Sequence, residues 1–414
     1  MKSIGIIGGG PAGLRAAEVA ASAGASVTVY DAQRSVGRKF LVAGKSGLNL
    51  THAGELDDFL PHYSTASPPE FPSELWRNLL ANFDNQALQE WAQELGIETF
   101  TASSGKIFPG PDRKGMKAAP LLRRWISRLR QLGVTFKLQH TWTDLSEGGS
   151  SQPSVTFSHK NTQLTYKHDR IILALGGASW PQTGSTGTWT KILTRAGIRI
   201  NPLVASNCGW ETDWPPAVLK EAEGLPMKNL IASAGKTSIR GEIVITRYGL
   251  EGAPIYKLGP ELRLQLTADH PPKLEIHIDF KPDLTHEQLI FKLGKVKRNF
   301  VREARRRWKL DPATCALLKH LPNRGPWRTA EQLAHEVKHC CIPLTGPRPI
   351  AEAISSAGGI AWDEITEELS LKKLPNIFVA GEMIDWDAPT GGYLLQGCFS
   401  TGTHVGHTAL TSEQ

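Results

Sequence analysis

An α/β fold is predicted by three stretches of this 414-residue chain. Ser3–Ile7 is a short apolar run that meets GGGPAG, and Leu14–Ala23 is alanine-rich and helix-prone. Ser26–Tyr30 (SVTVY) is β-branched and ends in Asp31. Strand, tight turn, helix, strand and acid make the first βαβ unit of a Rossmann-like, dinucleotide-binding fold. Gly8, Gly10 and Gly13 fit G-x-G-x-x-G, the first allowing the tight turn and the second the approach of a pyrophosphate. The third permits close helix–strand packing, and the helix N-terminus offers free N–H groups and a positive dipole end. Asp31 stands at the end of the second strand, where a carboxylate accepts hydrogen bonds from a ribose.

The remaining elements follow from periodicity and punctuation. Helical patterns cover about 73–95 and 117–132, and strands are expected at 134–138, 154–157 and 171–175, the last running into Gly176-Gly177. From about 198 to 283 the pattern alternates in short runs such as EIVITRY (242–248), LRLQLTA (262–268) and KLEIHIDF (273–280), punctuated by Gly and Pro. These read as antiparallel strands of a small barrel. Residues 285–340 read as helical, with Asp311-Pro312 as a helix start. Asn376–Ala380 is an apolar strand leading into Gly381-Glu382, and Gly391-Gly392 introduces a C-terminal helix.

Two tripeptides imitate a phosphate loop. Gly44-Lys45-Ser46 has Lys39 where G-x-x-x-x-G-K-[ST] needs its first glycine, and Gly235-Lys236-Thr237 has Leu230 there. Neither is a Walker motif. The N-terminal apolar run is short, broken by glycines and followed at once by Arg15 and Glu18, so it is read as a strand rather than a signal peptide. No apolar run approaches the roughly 18 residues of a membrane span. The five cysteines show neither metal-ligand spacing nor a disulfide framework, which fits reduced thiols in a cytoplasmic protein. No CxxC pair is present, and vicinal Cys340-Cys341 is read as two thiols. The net charge of +7 is local: residues 292–309 hold nine Lys and Arg against Glu303 alone.

Three separated segments, GGGPAG with Asp31, GRKFLVAGKSGLNLTH (37–52) and NIFVAGEMIDWDAPTGGYLLQGCFSTG, resemble the BaiN/YhiN-like (aminoacetone-oxidase-like) FAD-binding flavoproteins. ILALGGASWPQTGSTG and KIFPGPDRKGMKAAPLL strengthen the match, which covers nearly the whole chain. The resemblance implies a discontinuous FAD-binding domain of the glutathione-reductase type, over 1–195 and 344–414. An antiparallel β-barrel (196–284) and a small helical domain (285–343) are inserted between its parts. It further implies that Gly8, Gly10, Pro11, Ala12 and Gly13 hold the pyrophosphate and Asp31 with Ala32 the adenosine ribose. Arg38 and Lys39 begin the following loop, with Gly44, Gly47 and Asn49 running past the flavin. Gly176 and Gly177 belong to the same cofactor set. Glu382, after Gly381, accepts from the ribityl hydroxyls, and Gly391, Gly392, Tyr393 and Leu394 open a helix toward the flavin N1 edge. Lys45 is by default a solvated loop lysine.

This chain departs from the family pattern where Gly47-Leu48 replace an Arg-Cys pair, where His52 ends the loop and where Glu382 stands for the usual Asp. It reads as a distinct branch. Two readings of His52 stand open, a proton donor beside the flavin and a hydrogen-bonded structural residue. The function implied is a cytoplasmic FAD-dependent oxidoreductase working by hydride transfer at flavin N5. The favoured form is NAD(P)H-driven reduction of a small molecule, and no catalytic acid or base is identified. The alternatives are a dihydrouridine-forming RNA-modifying flavoenzyme or a small-amine oxidase. In 292–309, Leu293, Val296, Phe300, Ala304 and Trp308 recur at helical steps, leaving Lys295, Arg298, Arg302, Arg305 and Lys309 as an exposed basic stripe. That stripe is either a solvated face or an anion-binding surface, for nucleic acid, for another protein or for the phosphate of NADPH.

Overall fold

The structure is a computed structural model that describes residues 1–44, 47–65, 70–112, 115–146, 152–267, 273–322 and 325–411. Lys45 and Ser46, and with them the resolution of the GKS tripeptide, lie outside the described residues. The chain divides into two units, Met1–Val204 with Ser355–Gln414, and Ala205–Ile354.

In the first unit a six-stranded sheet has β1 (Ser3–Ile7) near its centre. β2 (Ser26–Asp31) and then Thr135–Leu138 lie on one side, and Arg170–Leu173, Leu374–Val379 and Ser370–Leu371 on the other. All pairings are parallel except the outermost, Ser370–Leu371 with Leu374–Val379. Parallel strands covered on both faces read as continuous apolar runs. Accordingly Ile4, Ile6, Ile171, Ile172, Ile377 and Phe378 are fully buried. A three-stranded antiparallel meander (Thr141–Ser146, Ser154–His159, Thr162–Lys167) joins Thr135–Leu138 to Arg170–Leu173. At the start of β1, the Asp169 carboxylate accepts from the Ser3 N–H at 2.7 Å and from the Ser3 hydroxyl at 3.1 Å.

Helix α1 (Pro11–Ser22) packs along the C-terminal helix Tyr393–Thr411. Its single acid, Glu18, is buried. The Glu18 carboxylate accepts from the indole N–H groups of Trp91 (2.8 Å) and Trp125 (2.9 Å) and from the guanidiniums of Arg15 and Arg128 (both 3.1 Å). Arg128 also reaches Glu94 at 3.0 Å. A buried carboxylate is tolerated only when its charge and lone pairs are met in this way. Burial lowers the Arg15 guanidinium from its ordinary value, against the pull of Glu18.

The second unit carries a seven-stranded antiparallel sheet. Its strand order is Cys340–Pro343, Glu275–Asp279, Pro226–Ala234, Thr237–Thr246, Gly249–Glu251, Trp210–Glu211 and Gly346–Pro347. Its helices share one apolar core with that sheet: Leu289, Phe300, Trp308, Leu317 and Leu333 are buried with Ile243 and Ile276. Two expectations are corrected here. LRLQLTA is helical, within Ala253–Thr267, and that helix carries Pro260 in its interior. Ile255, Leu258 and Leu262 are fully buried at three- and four-residue steps, while Leu264 and Leu266 are exposed. An alternating L-x-L-x-L run satisfies either period, and tertiary burial decided it.

The basic segment is likewise not one continuous helix. His286–Leu293 ends at Gly294, which has a positive φ of 58°, and Phe300–Trp308 restarts after Asn299 at a φ of 55°. Leu293, Phe300, Ala304 and Trp308 are buried as expected, and Lys295, Arg298, Arg302, Arg305 and Lys309 are exposed. The apolar face survives the break because both helices pack onto the same core.

Candidate functional site

The first unit opens a cleft at the C-terminal ends of β1, β2, Arg170–Leu173 and Leu374–Val379. This is where open α/β sheets bind ligands. Gly8, Gly10, Pro11, Ala12, Asp31, Ala32, Arg38, Lys39, Gly176, Gly381 and Glu382 line it, as the sequence led one to expect.

Each glycine of the turn has its own reason. A Cβ on Gly8, whose φ is +109°, would lie 2.2 Å from the Ala174 carbonyl oxygen. One on Gly13 would lie 2.0 Å from the Gly8 oxygen, so Gly13 serves helix–strand packing rather than the lining. A Cβ on Gly10 would meet nothing within 4 Å. Gly10 is also the N-cap of α1 and, lacking a side chain, leaves the helix without a side-chain cap. An uncapped helix N-terminus facing open space is an anion site.

Asp31 accepts from the Gly9 N–H at 2.9 Å and the Gln33 N–H at 2.7 Å. Burial pushes its carboxyl above the ordinary aspartate range, against those two donors and the Arg38 charge. Helix α2 (Arg38–Ala43) places Lys39 2.7 Å from Glu382 and 2.6 Å from the Ser179 hydroxyl. Glu382 also accepts from the Ser356 N–H at 2.8 Å and the Gly177 N–H at 3.4 Å. The ion pair thereby ties α2 to the turn after Leu374–Val379.

Several expected residues stand outside the lining. A Cβ on Gly44 would lie 2.5 Å from the Ala118 methyl, and one on Gly47 would meet the Met116 side chain at 3.2 Å. Both glycines pack against the segment 116–118. A Cβ on Gly177 would fall 2.3 Å from the Ser356 hydroxyl. Gly392, with a φ of +101°, passes so close to Thr51 that a Cβ would lie 2.4 Å from its backbone carbon, while Gly391 lies against the Tyr393 ring. Tyr393 stacks on His52 with ring centroids 5.3 Å apart and receives the Tyr63 hydroxyl on its carbonyl at 2.8 Å. Leu394 packs on the core. His52 aims both ring nitrogens at main-chain carbonyls, Ala53 at 2.6 Å and Ser104 at 3.1 Å, which is the structural one of its two readings.

The sequence reading passed over His140, Trp142, Ser185 and Cys398, which also line the cleft. Ser185 lies in the quoted segment ILALGGASWPQTGSTG, so a signal existed. His140 and Trp142 come from the meander, which carries no motif. Burial and the Glu382 charge push the Cys398 thiol up to about 12, so it stays protonated. Ser185 Oγ, in the lining, is buried with no hydrogen-bond partner among the described residues, whereas Asn49, whose Oδ1 is likewise unpartnered, stands outside the lining. Such atoms call for a partner outside the chain. Open space at Gly10, an uncapped helix and the Ser185 oxygen fit a bound dinucleotide.

The profile described as the HI0933-like protein Rossmann domain matches residues 2–408. The chain is similar to the 3-dehydro-bile acid delta(4,6)-reductase of Clostridium scindens, 25% identical over 441 aligned positions covering 99% of each chain. It is 22% identical to the ribosomal RNA dihydrouridine synthase of Escherichia coli, covering 96% of this chain and 95% of the other. Among solved structures, 3-ketosteroid delta1-dehydrogenase from Sterolibacterium denitrificans covers 100% of both chains with a TM-score of 0.55 at 11% identity. The open conformation of a flavocytochrome c3 fumarate reductase gives 0.54 at 12%, covering 99% of this chain and 78% of that one. At such identities the structural likeness is one of fold. No described helix is long and apolar enough to cross a membrane.

Proposed function

This chain belongs to the HI0933-like family of Rossmann-type FAD-dependent oxidoreductases, and on that premise we propose that it reduces a small carbonyl or enone compound with electrons from NADPH or NADH. The observation that carries the cofactor half is the open space at Gly10 before the uncapped N-terminus of α1. FAD would supply hydride transfer at N5 of its ring system. Gly8 to Ala12 would hold the pyrophosphate, Asp31 with Ala32 the adenosine ribose, and Glu382, fixed by Lys39 and the Ser356 N–H, the ribityl hydroxyls. Arg38 would add positive charge beside the phosphates. Protonated Cys398 has no vicinal thiol and would not relay electrons. The full-length similarity to a bile acid reductase supports the substrate class.

The test is the visible spectrum of the purified protein, recorded anaerobically before and after NADPH and then NADH. Flavin bands that bleach with one nucleotide and return on adding an enone are expected. A protein that stays colourless after incubation with FAD would remove the cofactor half. Bands that persist with both nucleotides would remove the reductase half and favour a small-amine oxidase.

One observation favours a second reading, RNA modification. Lys295, Arg298, Arg302, Arg305 and Lys309 are exposed in the inserted unit, and Phe291, 87% exposed, stands in the same run of helices. Basic side chains that contact phosphates, with an aromatic free to stack on a base, suit single-stranded RNA. Two relatives bear the dihydrouridine synthase name.

A further inference from the structure

One face of the seven-stranded sheet gathers side chains that the cofactor cleft does not use. Glu275 and His277 stand two apart on the strand Glu275–Asp279, so they share a face. The antiparallel strand Cys340–Pro343 sets Cys341 directly opposite His277 and Pro343 opposite Glu275. Directly opposed residues also share a face, so a carboxylate, an imidazole and a thiol converge. Their ligand atoms all lie within 4.8 Å of one another, and His277 Nε2 is 3.2 Å from Glu275 Oε1. The same alternation sends Cys340 to the other face, where it is fully buried. Neighbours in sequence, the two sulfurs occupy different surroundings.

We propose that Glu275, His277 and Cys341 bind a divalent cation of the zinc type. A thiolate and an imidazole are poor ligands for magnesium or calcium and good ones for zinc. Zinc takes Cys sulfur at about 2.3 Å and His nitrogen at about 2.0 Å in tetrahedral array, which places neighbouring ligand atoms about 3.5 Å apart. Closing from the present spacing takes side-chain rotation alone, because the ladder already fixes the three Cα positions. Three protein ligands leave a fourth position for water or a ligand from solution. Glu275 and Cys341 are half-buried and His277 is exposed, so the ion has a way in. Cys340–Pro343 ends the sheet, and the ion would fasten this edge strand to its neighbour. The Cys, His and Glu come from positions 66 residues apart at the extremes, too far for any sequence spacing rule. The proposal is independent of the flavin reading.

The test uses the full-length protein as purified, stripped of metal with a chelator and titrated with Zn²⁺ against a chromophoric zinc chelator. One equivalent is expected to bind. X-ray absorption at the zinc edge should show one sulfur at about 2.3 Å with nitrogen and oxygen near 2.0 Å. Cys341→Ser should remove the sulfur shell, and Cys341→Ser and His277→Gln should each weaken binding at least tenfold. Metal-free melting and flavin retention check that both variants fold. No stoichiometric binding, a shell without sulfur, or unchanged affinity in two folded variants would overturn the assignment.

Discussion

Two helix N-termini, those of α1 and of the C-terminal helix, each follow a glycine of the kind a flavin fold uses, and the two glycines serve different ends. Gly10 leaves open space where a Cβ would point, whereas Gly392 lets the chain cross the Thr51 backbone at a distance no side chain permits. One glycine borders open space before a helix N-terminus, the other makes room for the protein's own backbone. Sequence shows both as glycine before a helix. What distinguishes them is the neighbour a methyl group would meet.

Substitution breaks the comparison most sharply at Gly392. Gly392→Ala combines a positive φ with backbone overlap, and is expected to cost about 3 kcal/mol or more in urea or thermal unfolding. The molecules that still fold should keep their flavin. At Gly10 the effects should reverse. Gly10→Ser supplies a good N-cap residue in an extended N-cap conformation, so stability should hold within about 0.5 kcal/mol or rise. Its hydroxyl would occupy the anion site, and the FAD dissociation constant should rise at least tenfold, about 1.4 kcal/mol. Equal loss of stability in both variants would erase the distinction.

The smallest effect lies at the other end of β1, where no ligand is involved. Ser3 and Gln152 donors hold the Asp169 carboxyl below the ordinary aspartate range. Its stabilisation is therefore present above about pH 4 and lost as pH falls through the lowered value. Asp169→Asn should cost about 1 kcal/mol or less at pH 7, given solvent screening, and the cost should shrink as pH falls through the lowered value. A pH-independent cost would mean that packing rather than charge is at work.

The first βαβ unit was legible because every local signal agreed: β-branched strands, a glycine turn, an alanine-rich helix and a terminal acid. The strand Leu374–Val379 and its following helix were legible for the same reason. Where signals conflicted, tertiary contacts decided. LRLQLTA satisfied two periods at once, and the break at Gly294 to Asn299 is hidden because the apolar positions resume in phase beyond it. Gly44, Gly47 and Gly392 were placed by resemblance alone, because glycine carries no mark of the protein neighbours that crowd it. His140 and Trp142 reach the cleft from the start of a strand whose local sequence resembles any exposed hairpin. Cys341 was read as a thiol without metal spacing because its neighbours arrive by strand pairing.

Glu18 is a buried acid on α1, and its burial bears on how the chain can vary through descent. Arg15, Glu18, Glu94 and Arg128 form a neutral set of two acids and two bases around the indoles of Trp91 and Trp125. A single substitution of Glu18 leaves two buried indole donors without their acceptor and takes the carboxylate from Arg15, while Arg128 keeps only Glu94. A lineage can exchange this set as a whole for apolar residues, or retain it as a whole, but the intermediates are closed. Positions 15, 18, 94 and 128 should therefore travel together through the family, inherited as one character spread over three helices.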